Sequence, residues 1–261
     1  MANGIYVAMG GARNQEHRLD TLSNDLANAN TPGFKSQETI YRQIHNDVTA
    51  LGNPNQAMGL NHPVRFLPED RLPSVMDSRY TKFRQGTLRE TGNDLDLALN
   101  GGGFFTIQGP KGVLYSRNGT FSLDKTGTLV DQEGRAVLDT FEKPIQVPNT
   151  AGKVTVTRDG AVRVGPEKIA ELNLMGFKPA DAQKLERVGN SAYQVPNGKI
   201  EPEALENPDV RQGYIEMANV NPVHTMAMLI KTNRVFDLNT RAMQAYKEMD
   251  EQSAREVGRL R

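Results

Sequence analysis

The side chains able to do chemistry are few and badly spaced for it. His17, His45, His62 and His224 are scattered, with no HExxH or two-histidine-plus-carboxylate spacing. They read as surface or structural histidines, not metal ligands. Ser122 and Lys125 match an S-x-x-K pattern, and Lys125-Thr126-Gly127 matches K-T-G. The penicillin-recognising enzymes that use these patterns need a serine on a helix and a separate K-T-G strand. Here one lysine is shared, so SLDKTG reads as strand, turn, strand. Gly101-Gly102-Gly103 precedes the strand-like run FFTI, not a helix N-terminus, so it lacks the geometry of a phosphate loop. It reads as a bulge or a place of close approach. Asn118-Gly119-Thr120 fits a glycosylation sequon but reads as a turn. The pairs Asp94/Asp96 and Asp250/Glu251 fall on a strand and a solvated helix, where neither forms an acid–base couple. The chain is therefore expected to have no catalytic, cofactor-binding or metal-binding residues, no small-molecule substrate and no enzymatic activity.

Composition narrows the classes further. The 261 residues include 31 basic and 31 acidic side chains, for a formal net charge of zero. A nucleic-acid partner is not expected, because such binders carry a clear basic excess. Cysteine is absent, which removes thiolate zinc sites, disulfides and thiol nucleophiles. That absence fits an extracytoplasmic chain without disulfides and a cytosolic chain alike. Aromatic residues make up 6% with no Trp, so a core built on aromatic anchors is not expected. No apolar run approaches bilayer-spanning length. MANGIYVAMGGARNQ has neither a basic n-region nor a long h-region, so a conventional cleaved signal peptide is not expected.

What remains is a pattern of elements. Ile5, Ala12, Leu19 and Leu26 recur every seven residues, with Ala8, Gln15, Leu22 and Ala29 three further on. This predicts an amphipathic helix with a narrow seam whose alanines admit a close partner. Thr31-Pro32-Gly33 predicts its end, with Gly33 in a left-handed conformation. Residues 1–39 thus form a helix and exit turn, and residues 40–80, rich in Asn, Pro and Gly, a connector. Residues 81–213 carry short β-like runs divided by GPKG, RNG, DKTG and DQEG. Asp159-Gly160 between VTVTR and AVRV is the strongest hairpin signal. A meander or small barrel-like β domain is expected there. Residues 214–261 return to helix. Asn221-Pro222 marks its start, and Met228, Val235, Ala242 and Met249 repeat every seven beside Leu229, Phe236 and Met243. The fold class is α+β: terminal helices packing together as a coiled-coil-like stem, with a β-rich middle domain. Each seam is incomplete alone, so the helices are expected to pack on each other and on other copies.

Three stretches resemble a known family. SNDLANANTPGFK resembles the N-terminal signature of bacterial flagellar rod and hook proteins, with Asn24, Leu26, Ala27, Asn28, Thr31, Pro32, Gly33, Phe34 and Lys35 matching and Asp25 where a second Asn is more usual. GNDLDLALNGGGFFTIQGPKGVLYSRNGTFSLDKTGTLVDQEG resembles the family's central segment. VNPVHTMAMLIKTNRVFDLNTRAM resembles its C-terminal signature through Asn221, Pro222, Val223, Met226, Ile230, Arg234 and Phe236. Length leaves the proximal-rod and distal-rod branches, and the opening IYVAMGGA resembles the proximal-rod branch more, with the distal-rod branch open as the alternative. A non-flagellar extracellular β-domain binding module is the more distant one.

The resemblance implies a structural subunit of the basal-body rod, the drive shaft from motor to hook. It implies export by the flagellar type III apparatus without signal cleavage, and helical assembly in the periplasm. Its partners would be other copies and other rod and hook axial proteins. The expected assembly residues are Ile5, Ala12, Leu19, Leu22, Leu26, Asn28, Pro32, Gly33, Phe34, Asn221, Pro222, Met226, Ile230, Val235, Phe236, Ala242 and Met249.

Overall fold

The computed structural model describes residues 2–43, 74–110, 112–148, 153–196 and 200–259. The chain divides into two compact units. One is Met1–Asn24, Glu38–Arg79 and Val223–Arg261; the other is Asp25–Gln37 and Tyr80–Pro222. The architecture is α+β, with a helix from each end of the chain and a β-rich middle.

In the first unit the helix α1 (Ala2–Ala27) lies against the long C-terminal helix, Pro222–Arg259. A Cβ on Gly4 would lie 2.6 Å from the Tyr246 ring, and one on Gly11 would lie 3.3 Å from the Asn239 amide. Seven residues forward on one helix match seven back on the other, so the two run antiparallel. Ala8, Ala12 and Thr21 are buried on α1, and Thr225 and Thr232 on its partner. Small side chains let the two backbones approach, at the cost of a thin apolar seam. Leu19, Leu22 and Leu26 are half-buried, as are Met228, Leu229, Val235, Phe236, Ala242 and Met243. A two-stranded ladder, β1 (Gln37–Gln43) with β2 (Ser74–Thr81), belongs to the same unit, and the Tyr41 hydroxyl donates to the Asn14 carbonyl at 2.8 Å. These strands occupy the two ends of the expected connector; its interior, with His45 and His62, lies outside the described residues.

The second unit is built from short strands. In chain order they are β3 (Leu88–Glu90), β4 (Leu97–Leu99), β5 (Phe104–Gly109), β6 (Gly112–Ser116), β7 (Ser122–Leu123), β8 (Leu129–Val130) and β9 (Val154–Val156). There follow β10 (Ala161–Val164), β11 (Glu167–Glu171), β12 (Leu174–Gly176), the short helix α2 (Pro179–Ala182), β13 (Glu186–Val188) and β14 (Ala192–Gln194). The last are β15 (Glu203–Ala204), β16 (Val210–Gln212) and β17 (Tyr214–Glu216), before the C-terminal helix α3 (Pro222–Arg259). The predicted Asp159-Gly160 hairpin is β9–β10, with Val162 opposite Val156 and Gly160 at φ +89°. SLDKTG forms β7, a turn and β8, as its sequence suggests.

The sheet is not a meander. Its six strands run β13-β14-β6-β5-β12-β15, so the local hairpin β5–β6 is flanked by strands from much later in the chain. Local turn signals reveal which runs are strands, while burial decides which distant runs pair. The expectation of a core without aromatic anchors is also overturned. One core cluster is mostly aliphatic, around Leu97, Leu99, Ile107, Val137, Val162 and Val210. The other is Phe104, Tyr115, Tyr193 and Leu185 with Phe83 and Phe177 against it, its rings meeting edge to face at 4.9–6.0 Å. The few aromatics are concentrated in one place, which composition does not reveal.

Close backbone approach explains individual glycines. Leu97 donates its N–H to the Gly119 carbonyl at 2.9 Å, and a Cβ on Gly119 would sit 1.6 Å from the Leu97 oxygen. Gly102 has nothing within 4 Å of such a Cβ. Gly119→Ala should therefore destabilise the protein by about 3 kcal/mol, and Gly102→Ala by less than about 0.5 kcal/mol. Denaturant unfolding of the two variants checks the contrast.

Candidate functional site

The segment at Gly33–Ser36 has no regular secondary structure, yet Gly33, Phe34 and Lys35 are all buried. Distant residues hold it in place. Gly33 N–H donates to the Glu216 carbonyl at 2.7 Å, and Lys82 N–H to the Ser36 carbonyl at 2.9 Å. The Asn219 side chain accepts from Ser36 N–H at 2.8 Å and donates to the carbonyls of Lys82 and Arg84 at 2.7 and 3.0 Å. One amide thereby pins this segment and the run before β3 together.

Beneath it lies a buried ion cluster. Lys35 Nζ meets Glu216 Oε1 at 2.5 Å and donates to the Arg84 carbonyl at 2.9 Å. Glu216 Oε1 also accepts from Gly86 N–H at 2.7 Å, and Oε2 from Arg117 Nη1 at 3.3 Å. The Lys35 and Glu216 side chains are fully buried and that of Arg117 is 3% exposed. Burial pushes the Lys35 ammonium below its ordinary pKa, against the pull of Glu216. Burial likewise lowers that of Arg117.

Aromatic faces compensate for the remaining positive charge. The Arg117 guanidinium lies 5.2 Å from the centroid of Phe104. Arg187 covers Phe34 at 4.4 Å, donates to the Lys35 carbonyl and lies 5.8 Å from the ring centroid of Tyr193. The strand β17 aims Glu216 inward through its register with β3, Glu216 opposite Leu88. Gly213, at φ +79°, turns the chain between β16 and β17 so that it passes from β4 to β3.

This revises the expected helix stop. α1 ends at Ala27, ahead of Thr31-Pro32-Gly33, and turns through Ala29 N–H to Leu26 O and Thr31 N–H to Asn28 O. Gly33 has the predicted left-handed φ, +70°, but it does not close the helix. A Cβ there would lie 2.3 Å from the Asn118 nitrogen, so glycine lets residues 33–36 lie against Arg117 and Asn118. Asn118 is itself buried and accepts from Thr120 N–H at 3.0 Å, an Asx turn, so the sequon is a structural turn.

The expected assembly residues fall into three groups. Asn28, Gly33 and Phe34 are buried inside the second unit, where Pro32 is half-buried. Ile5, Ala12, Leu19, Leu22, Val235, Phe236 and Ala242 are buried or half-buried in the first unit, and Leu26, past the unit boundary, is half-buried too. Asn221, Pro222, Met226, Ile230 and Met249 are exposed. Among these, Met226 at 50% and Ile230 at 55% continue a stripe with Val223 at 78%. Tyr6, Val7 and Met9 are exposed on α1. Lys35 was visible only as a motif letter. Glu216, Arg117, Arg187 and Asn219 were not singled out from the sequence, because a polar side chain gives no local sign that residues far along the chain bury it.

These features define a structural protein whose two ends form one helical pair, and comparison with known sequences agrees. Residues 5–35 match the family model described as flagella basal body rod protein. Residues 98–164 match the flagellar hook protein FlgE/F/G D1 domain, and residues 211–256 the flagellar basal body rod FlgEFG protein C-terminal model. The flagellar basal-body rod protein FlgF of Caulobacter vibrioides is 31% identical over the full length of both chains. That of Rhizobium meliloti is 34% identical, over 93% of this chain and 92% of its own. FlgG of Buchnera aphidicola from Acyrthosiphon pisum is 27% identical over 95% and 97%. The chain belongs to the flagellar basal-body rod protein family.

The ion cluster makes an asymmetric prediction. Glu216→Gln strands two buried cations and should cost about 3–5 kcal/mol. Lys35→Met leaves Glu216 with Arg117 and Gly86 N–H, and should cost less than half as much. Equal losses in denaturant unfolding would show that the carboxylate is not the shared partner.

Proposed function

We propose that this chain is a structural subunit of the flagellar rod, of the proximal kind, which polymerises through its terminal helices into a shaft that transmits torque. The observation that carries the reading is the helical pair. α1 and α3 bury a small-residue seam against each other, while Val223, Met226 and Ile230 stay exposed along one side of α3. Apolar side chains at this spacing on a well-ordered helix suit a neighbouring helix of the same kind. Burying them would contribute about 1 kcal/mol or more each, repeated at every subunit. Contacts of this head-to-tail kind generate an open helical tube, in which the seven-residue spacing supports a coiled-coil-like stem.

Of the expected domains, residues 1–39 serve with the C-terminal helix as the assembling stem, 40–80 as connector and 81–213 as the outer β-rich part. The expected stem boundary at 214 moves to Pro222, because Tyr214–Glu216 is β17, paired with β3. Within the expected interface the exposed residues make the contacts. Asn28, Pro32, Gly33 and Phe34 act by fixing the chain where it leaves α1. The partners are other copies and other axial proteins of the rod and hook. Passage through the flagellar type III apparatus and assembly in the periplasm, without a cleaved signal peptide, complete the proposal. The proximal assignment leans on the relatives named FlgF, and a distal-rod role on those named FlgG, which match nearly as much of the chain. Cryo-electron microscopy of isolated basal bodies separates the two by axial position.

Ile230→Asp places a charge on the exposed stripe and should leave the melting temperature of the free chain within about 2 °C, because surface changes cost little. Rod assembly and swimming should be lost. Swimming cells carrying this change would remove Ile230 from the interface.

A further inference from the structure

Asp25 lies in the last turn of α1 and is 5% exposed. Its Oδ1 accepts the Gln37 N–H at 3.3 Å. Asp25 and Gln37 are the first and last residues of the segment that carries Gly33, Phe34 and Lys35. Their hydrogen bond therefore closes that segment into a loop. Its place disfavours a charge for separate reasons. Burial removes water, the C-terminal end of a helix carries partial negative charge, and a backbone donor at 3.3 Å is long for a carboxylate.

Arg187 and Lys82 are the charged groups that face it, acting through Coulomb attraction. Arg187 is already engaged with the Lys35 carbonyl and the Phe34 ring. Burial dominates, and the Asp25 carboxyl is raised to about 6, with the Gln37 N–H, Arg187 and Lys82 pulling it down. An amide at this place would keep an acceptor for the Gln37 N–H without the charge.

We propose that Asp25 makes the anchoring of residues 25–37 pH-dependent: firm when its carboxyl is protonated, looser when it is ionised. A native pKa raised above the unfolded value means that the native state holds the proton more tightly. The stabilisation is complete below the unfolded value of 3.8, declines as pH rises to about 6, and is absent above. Within that window the loop bond is kept while the buried charge appears, so the cost falls on the segment that Asp25 and Gln37 close.

The test compares the full chain with its Asp25→Asn variant in denaturant unfolding from pH 4 to pH 8, free in solution and so independent of any assembly. The ratio of wild-type to variant unfolding constants should rise about fiftyfold between pH 4 and pH 7, given 3.8 unfolded and about 6 native. Hydrogen exchange of the Gln37 amide should match in the two proteins at pH 4 and be faster in the wild type at pH 7.5. Parallel stability curves overturn the proposal. Should the variant fail to fold, carboxyl NMR of the wild type decides: a midpoint near pH 6 for Asp25 supports it, and one near pH 4 overturns it.

Discussion

The second unit is organised around one buried carboxylate. Glu216 satisfies Lys35, Arg117 and Gly86 N–H together, and its own backbone carbonyl receives Gly33 N–H. Ions this deep cost several kcal/mol each to desolvate, so they do not maximise stability; an apolar cluster of the same volume would often do as well. What they supply is selectivity. A one-residue slip of β17 against β3 would turn the Glu216 carboxylate away from Lys35 and bring Ile215 or Met217 in its place. The penalty for two unpaired cations excludes that register more firmly than apolar side chains could. The aromatic cluster belongs to the same solution: Phe104, Phe34 and Tyr193 offer ring faces to guanidinium groups whose charge one carboxylate does not fully balance.

In the first unit the constraint is distance rather than charge. Gly4, Ala8, Gly11 and Ala12 place almost no side-chain volume between α1 and α3, so the helices meet closely but bury little apolar area. The larger apolar residues flank that seam. Leu19, Leu22, Val235 and Phe236 are only half-buried, and Val223, Met226 and Ile230 remain in water. Helical stability depends mainly on the burial of an amphipathic face. A pair whose larger side chains are left partly exposed keeps apolar area to offer a further helix, and residues such as Thr225 and Thr232 lie on the stripe that faces inward.

Most elements were legible in the sequence, though not the strands β1, β2 and β17 in the expected connector and at the expected start of the C-terminal helix; the elements' partners were not. The heptads located both terminal helices, Asn221-Pro222 marked the start of α3, and Asp159-Gly160 gave its hairpin, because each signal is confined to neighbouring residues. Thr31-Pro32-Gly33 showed that something stops there, but not what. The left-handed Gly33 was anticipated, while its cause, the backbone of Asn118, lies far along the chain. The pairing of β5 with β12 and the ion cluster were hidden for the same reason. Lys35 and Glu216 are 181 residues apart, and neither a lysine in an irregular segment nor a glutamate in a strand gives any hint of burial. The aromatic core was hidden by an average: 6% aromatic content says nothing of where the rings gather.

That separation determines how the anchor can form. Residues 33–36 have no helix or strand of their own, so their conformation is imposed by Arg84, Arg117, Arg187, Glu216 and Asn219. Two of these come almost at the start of α3. Lys35 loses its water only if Glu216 is already in place, since burying it alone would cost more than the remaining contacts return. The N-terminal segment therefore cannot be seated by the first half of the chain. Its seat is complete only with β17 paired to β3, so the segment, Asn219 and the ion cluster depend on one set of contacts between residues far apart in the chain. The N-terminal signature thus ends in Lys35, whose partners Glu216 and Asn219 lie just ahead of the C-terminal signature, so residues close to the two ends of the chain complete one site.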